Sequence, residues 1–194
     1  MIDFLQGRLV VNEPTRAVID CQGIGYELLI PLSTHDALPA VGVVARLLTV
    51  LIVRDDAHLL YGFASAAERS MFKLLTSVTG VGPKIALMAI SRVPLQELAN
   101  SITAGDITAV QRLPAVGRKL AARIIADLQE TMSIGGGVGL ASPGGTGPSA
   151  VAEAQAALIG LGYAPNEARR VVAAAAREHP TADVETLIRT AITT

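Results

Sequence analysis

The chain is poor in aromatic residues and in cysteine. Its 194 residues include three Phe, three Tyr and no Trp, so there is little material for stacking single-stranded bases on aromatic side chains. The single cysteine, Cys21, excludes an intramolecular disulfide, and no Cys/His cluster has the spacing of zinc ligands. We therefore expect no metal site, and no motif in the sequence indicates a cofactor.

The N-terminal residues do not have the pattern of a secretory signal, and we expect none. Asp3 precedes any basic residue and the N-terminus has no long apolar run, so we expect a cytoplasmic protein. No charged residue lies between Thr131 and Ala152, but the seven glycines of that stretch favour a flexible linker over a membrane span.

Positive charge is concentrated in the middle of the chain. The whole sequence has a formal net charge of -1. Residues 1–64 contain four Lys/Arg and seven Asp/Glu, residues 65–134 contain eight and five, and residues 135–194 contain four and five. Because a local basic surface attracts phosphate whatever the overall charge, the middle segment is the candidate for binding nucleic acid.

The first 64 residues have the pattern of a small β-barrel. Five short runs rich in Val, Ile, Leu and Tyr predict strands, separated by turns such as NEPT and RDDAH. The runs are FLQGRLVV, RAVIDCQ, YELLIPL, ARLLTVLIV and HLLYGF. Five strands of this length predict an OB-like barrel over residues 1–64.

The rest of the chain predicts helices. Ser65 and Glu68 form a capping box, and frequent Gly and Pro breaks divide residues 65–134 into four or five short helices. A Gly-rich linker is expected at residues 135–148. Residues 149–194 predict a three-helix bundle in which Pro165 begins the second helix. Thr181 or Asp183 is expected to cap the third. The fold class is therefore mixed and multi-domain.

A motif that places a lysine two residues after a glycine occurs twice. The stretch TGVGPKIAL is matched 35 positions later by PAVGRKLAA, so that Gly82 falls on Gly117 and Lys84 on Lys119. A glycine between helices often only ends the first helix, and for one copy that interpretation is preferred. Capping does not require a lysine two residues later, however. Exposed N–H groups, a helix N-terminus and a lysine together suit phosphate.

Other glycine motifs fit less well. A dinucleotide fingerprint needs a preceding strand and a third glycine, where this chain has a helix and Ile85. A nucleotide-hydrolase phosphate loop needs Ser or Thr directly after the lysine. The phosphate is therefore expected to belong to a nucleic-acid backbone, which such contacts hold without reading its sequence.

These segments resemble helix-hairpin-helix motifs, and the whole chain resembles the RuvA family of Holliday-junction-binding proteins. The resemblance includes GRLVV, GIGYELLIP, VRDDAHLLYGF, VTGVGPKIAL, LPAVGRKLAARIIADL and ALIGLGYAPNEARR, in that order. It implies a homotetramer, or two tetramers on one DNA, that holds a four-way junction open. It also implies recruitment of the hexameric ATPase RuvB by a UBA-like C-terminal bundle, with the resolvase RuvC as a further partner.

The same resemblance implies roles for individual residues. The expected phosphate contacts are Gly80, Gly82, Lys84, Gly117, Arg118, Lys119 and Arg123. Ala115 departs from the pattern, because the family usually has glycine there. The expected partner contacts are Leu158, Leu161, Tyr163 and Ile192. Leu158 and Leu161 can instead be core residues of a small bundle, and Tyr163 is the preferred exposed contact.

Asp55 and Asp56 have two interpretations. Two aspartates at a hairpin tip are ordinary turn formers. The resemblance implies instead an acidic pin at the centre of the junction, where carboxylates repel phosphates and disfavour other DNA. Arg54, next to the pin, is expected to modify its field.

Three functional classes remain distinct. The first is a non-enzymatic junction-binding scaffold, and no nucleophile–base pair or nucleotide site in the sequence argues for catalysis by this chain. The second is a helix-hairpin-helix glycosylase or nuclease, but Asp127 and Glu130 fit a solvated helix surface better than a catalytic pocket. The third is a protein-binding adaptor, which leaves the two lysines and the basic middle segment unexplained.

Overall fold

A computed structural model describes residues 1–55, 57–134, 150–163, 165–178 and 183–193. The predicted linker at 135–148 and the second pin residue, Asp56, lie outside the described residues. The chain divides into two compact units, Met1–Leu140 and Ala141–Thr194. The first contains five strands and six helices among its described residues, and the second contains three helices.

The five strands form a closed barrel. They are β1 (Phe4–Glu13), β2 (Arg16–Cys21), β3 (Ile24–Leu29), β4 (Val44–Val53) and β5 (His58–Phe63). Their order around the barrel is β1-β2-β3-β5-β4, with only the β3–β5 pair parallel. Alternate residues point inward, among them Leu5 and Leu9 of β1, and build the barrel core. The predicted OB-like barrel is confirmed.

A short helix occupies a place where the sequence predicted strand. The third strand was expected to run through Leu32, but β3 ends at Leu29 and helix α1 (Leu32–Ala37) follows Pro31. Proline cannot donate to a strand ladder, so the extended segment stops there. The helix lies in the connection between β3 and β4, two strands that β5 separates in the barrel.

Five helices follow the barrel in the same unit. They are α2 (Ala66–Ser77), α3 (Pro83–Arg92), α4 (Leu95–Thr103), α5 (Ile107–Gln111) and α6 (Arg118–Ile134). Met71, Phe72, Leu75 and Val78 are all buried, as the helical periodicity predicts. Tyr61 and Phe63 of β5 pack on Phe72 with ring centroids about 5 Å apart, 4.9 and 5.0 Å. The barrel and the helices therefore share one hydrophobic core.

A buried carboxylate joins the barrel to the helices. Glu68 is 5% exposed, and its carboxylate accepts hydrogen bonds from the hydroxyl groups of Ser33 and Thr34 in α1. It also accepts the backbone N–H groups of Ala64 at 3.0 Å and Ser65 at 3.2 Å. The Ser65 hydroxyl accepts the Glu68 N–H in return, which confirms the predicted capping box. One side chain thus connects α1, the end of β5 and the start of α2.

The second unit is a three-helix bundle. Its helices are α7 (Ala150–Gly160), α8 (Pro165–Glu178) and α9 (Val184–Thr193), around a core that includes Leu158, Val172 and Leu187. Asp183 caps α9 by accepting the Thr186 N–H at 3.0 Å. Hydrogen bonds from the Thr186 side chain and then from its backbone N–H lower the pKa of the Asp183 carboxyl. Thr181, the alternative cap, lies outside the described residues.

The proposed domain boundaries stay predictions. The boundary at residue 64 falls inside the first compact unit, where the shared core crosses it. No helix in the described part of the chain is long and apolar enough to cross a membrane.

We expect Glu68→Gln to destabilise the first unit by about 2–3 kcal/mol, because an amide nitrogen would replace one acceptor and leave buried donors unpaired. Urea unfolding followed by circular dichroism measures the loss. Glu97→Gln, on the exposed surface of α4, is the control and should change stability by less than about 0.5 kcal/mol. Equal effects of the two substitutions would contradict the role given to Glu68.

Candidate nucleic-acid interface

The first hairpin is the turn between α2 and α3. The Val81 N–H donates to the Val78 carbonyl at 3.0 Å, and Val81 is buried. Gly82 is the N-cap of α3, its carbonyl accepting the Ala86 N–H at 3.0 Å, and Pro83 occupies the first helical position. The buried side chain of Val81 therefore anchors the turn to the core, while the glycines on either side of it, Gly80 and Gly82, are exposed.

The second hairpin, between α5 and α6, repeats this geometry. Val116 is buried and its N–H donates to the Leu113 carbonyl at 3.2 Å. The Ala121 N–H donates to the Gly117 carbonyl at 2.9 Å, which places Gly117 at the start of α6. The sequence repeat is thus a repeat of structure as well.

Gly80 and Ala115 are matched residues with left-handed backbones. Gly80 has φ +98° and Ala115 has φ +59°. Alanine is strained in this region, whereas glycine is not. Ala115 therefore keeps the turn that its glycine counterpart forms, at a local conformational cost.

Gly82 and Gly117 need no special backbone conformation. Gly82 has φ -80° and ψ 165°, which any residue adopts, and Gly117 is likewise outside the left-handed region. Both are exposed, and a Cβ added at either would meet nothing within 4 Å. The chain's own packing therefore gives no reason for glycine at these two matched positions. A backbone without side chains can, however, be approached closely by a ligand.

The cations lie at and just beyond the two helix starts. Lys84 is in the first turn of α3, Arg118 and Lys119 are in the first turn of α6, and Arg123 follows one turn later. All four are exposed, and no carboxylate among the residues that the structure describes forms an ion pair with them. The free N–H groups and positive dipole end of each helix add to this charge. Each hairpin thus suits an anion.

A cleft of about 320 Å³ brings residues of both hairpins together. Thr79 and Gly80 of the first hairpin face Lys119, Leu120 and Arg123 of α6. Arg123 Nη1 donates to the Thr79 carbonyl at 3.2 Å. Of the predicted phosphate contacts, Gly80, Lys119 and Arg123 share this cleft, whereas Gly82, Lys84, Gly117 and Arg118 do not line it.

The predicted pin lies at the tip between β4 and β5. Asp55 is exposed, and the tip is closed by the Arg54 N–H, which donates to the Ala57 carbonyl at 2.8 Å. Burial raises the pKa of Tyr61, and the positive charge of Arg54 partly offsets this.

Comparison with known proteins gives three family matches along the chain. Residues 1–62 match the RuvA N terminal domain, residues 72–130 the SAM-like helix-hairpin-helix tandem, and residues 149–194 the RuvA C-terminal domain. A protein of Thioalkalivibrio sulfidiphilus is 41% identical over 99% of this chain and 98% of its own length. One of Nitrosococcus oceani is 44% identical over 89% of each. Both are named Holliday junction branch migration complex subunit RuvA.

The chain belongs to the RuvA family. The tandem match covers both hairpins, from within α2 to the last turns of α6. Membership confirms the resemblance and the fold class predicted from the sequence. The roles of individual residues stay predictions, because the family matches cover whole domains and assign no role to a residue.

Within this RuvA-family chain, the four expected partner contacts differ in exposure. Leu158 is fully buried in the core of the second unit, so it can only support a contact surface from beneath. Leu161 and Ile192 are 65% and 50% exposed. Tyr163 is half-buried against the same core, less exposed than Leu161, and its role as a partner contact stays a prediction. A bundle this small uses most of its large apolar residues internally.

Two residues near the hairpins were not singled out from the sequence. Thr79 accepts the Arg123 hydrogen bond, and Leu120 lies where a Cβ on Gly80 would meet its Cδ1 at 3.3 Å. Comparing the copies position by position offers one signal, since Arg123 matches Met88 of the first copy and thus breaks the repeat.

We expect opposite effects from exchanging the residue types at the two left-handed positions. Ala115→Gly should stabilise the chain by about 0.5–1 kcal/mol, because relief of left-handed strain exceeds the added freedom of the unfolded chain. Gly80→Ala should destabilise it by about 1–2 kcal/mol and crowd Leu120. Urea unfolding of both variants measures the two changes in the free energy of unfolding. Changes of the same sign would contradict the view that the left-handed backbone strains alanine but not glycine.

Proposed function

We propose that this chain is a non-catalytic subunit that binds four-way junction DNA and takes part in branch migration. The observation that supports this most is the matched pair Gly82 and Gly117, exposed glycines for which the chain itself has no structural use. The curated relatives, named Holliday junction branch migration complex subunit RuvA, support the same function.

The two hairpins would bind DNA through phosphates. Backbone N–H groups at Gly82 and Gly117 approach the phosphate oxygens, and the helix dipoles and lysines supply positive charge. Contacts of this kind fix position on the duplex but read no base sequence. They suit a protein that recognises the form of its DNA.

The barrel would supply the discrimination between DNA forms. Asp55 and Asp56 repel phosphates, so a duplex running across the tip is disfavoured, whereas strands that separate at a crossover leave room for it. Attraction at the hairpins and repulsion at the tip act within one compact unit.

The partners would be brought together by symmetry and by the second unit. We propose a homotetramer that matches four DNA arms, alone or as two tetramers on one junction. The exposed Leu161 and Ile192 of the second unit would contact the RuvB ATPase, which supplies the motor, and RuvC would act on the same junction.

We expect the chain to prefer a synthetic four-way junction over a linear duplex of the same arm sequences, and Asp55→Asn with Asp56→Asn to reduce that preference. Removing the carboxylates abolishes repulsion of duplex phosphates, so duplex affinity should rise more than junction affinity. A gel-shift competition with native mass spectrometry measures preference and stoichiometry. Equal affinities of the unmodified chain for both DNAs would contradict the proposed function.

We expect Gly82→Ala and Gly117→Ala each to weaken junction binding about tenfold or more, because a methyl group blocks close approach of a phosphate. The free energy of unfolding, measured by thermal denaturation, should change by less than about 1 kcal/mol, since the added Cβ meets nothing in the protein. If the glycines served only as helix caps, the substitutions would lower stability and leave DNA affinity unchanged.

Lysine removal gives a separate test of phosphate contact. We expect Lys84→Ala with Lys119→Ala to weaken binding and to lower the salt dependence by about 0.9 per lost contact in log affinity against log salt. Lys73→Ala, an exposed lysine on α2, is the control. An unchanged salt slope in the double variant would show that these lysines make no phosphate contact.

A further inference from the structure

We propose that Arg123 is a positioning residue: it braces the first hairpin from the second repeat, so that the two phosphate sites act as one unit. This inference rests on the proposed function and deepens it. It differs from the expectation that Arg123 acts by touching a phosphate itself.

The Arg123 guanidinium is already engaged within the protein. Its Nη1 donates to the carbonyl oxygen of Thr79, the residue directly before the left-handed Gly80. No carboxylate in the described part of the chain pairs with Arg123. Within the described ranges the Thr79 carbonyl is therefore the one hydrogen-bond partner of Arg123, and this bond runs from helix α6 to the first hairpin.

An apolar contact reinforces this bond. Leu120, one turn earlier on α6, lies against Gly80, since a Cβ built on that glycine would be 3.3 Å from Leu120 Cδ1. Leu120 is itself half-buried against the shared core. Two side chains of one rigid helix thus hold two consecutive residues of the first turn.

The second turn is supported in a different way. Residues matching Arg123 and Thr79 in the other copy are Met88 and Pro114, and both line an apolar cavity beside α3. Proline fixes its own φ and needs less support from a neighbour. The two copies therefore share a backbone arrangement but differ in the side chains that support the turn. The hydrogen bond from an arginine supports the first hairpin, whereas a proline and a methionine stand at the matching positions of the second.

Loss of the brace should loosen the turn that presents Gly82 and Lys84. Arg123→Met installs the residue that the first copy has at this position. In the free protein, we expect about tenfold faster amide hydrogen exchange at Val81, the loss expected for one charged hydrogen bond, and no change at Val116. Lys73→Met, which removes one charge elsewhere, is the control and should leave both amides unchanged.

DNA binding then distinguishes bracing from direct contact. We expect Arg123→Met to weaken junction binding about tenfold in the unmodified chain and less than about threefold in a Lys84→Ala background, because both changes disable the same hairpin. Equal loss in both backgrounds would make Arg123 an independent phosphate ligand and overturn the proposal. If the effect of Arg123→Met were instead smaller in a Lys119→Ala background, Arg123 and Lys119 would contact one phosphate in the cleft. That result would also overturn the proposal.

A second variant removes the apolar contact that supports the first hairpin and leaves the charge of the chain unchanged. Leu120→Ala should accelerate exchange at Val81 and lose part of its effect in the Lys84→Ala background, as Arg123→Met does. If only Arg123→Met weakened binding, charge rather than bracing would be the cause. Should the unmodified chain bind neither junction nor duplex, the proposed function would fail, while hydrogen exchange would still decide whether Arg123 holds the turn.

Discussion

The hydrogen-bonded carboxylate of Glu68 is the constraint on which the geometry of the first unit depends. It accepts donors from α1, from the residue after β5 and from the start of α2 while 5% exposed. Packing of Phe63 and Tyr61 against Phe72 alone allows small rotations, since apolar contact is not directional. Four hydrogen bonds to one group are directional, and they fix the barrel relative to the helices. The acidic tip and the hairpins therefore keep a set separation.

Duplication explains the hairpins better than any single motif does. Val81 and Val116 are buried alike, and the first carbonyl of each following helix accepts the same bond from an alanine. What differs between the copies has a physical reason in each case. Ala115 keeps a left-handed turn under strain, and Arg123 holds a carbonyl where the other copy has methionine beside proline. The copies share a backbone but have separate means of holding it.

The sequence predicted elements whose signals are local. The capping box of Ser65, the fifth strand and the start of α8 at Pro165 follow from neighbours a few residues apart. Helix α1 was missed because residues 28–32 continue the strand as an unbroken apolar run, and only the position of Pro31 and the distant Glu68 distinguish strand from helix there. Exposure of Leu161 and burial of Leu158 likewise depend on how α7 packs. For the bond between Arg123 and Thr79, 44 positions apart, the sequence gives only the break in the repeat at Arg123 and no sign of its partner.

Opposite charges in one compact unit have a consequence that neither charge has alone. In the proposed function the hairpins attract phosphate wherever it lies, and such attraction by itself would favour any duplex that fits both lysines. The acidic tip adds repulsion, which falls off with distance and is screened by salt within about 10 Å at 0.1 M. Repulsion of such short range discriminates only if the tip cannot move away from the DNA that the hairpins hold. The proposed selectivity for DNA form therefore requires stiffness between the barrel and the hairpins, and the Glu68 hydrogen bonds and the shared aromatic core favour such stiffness.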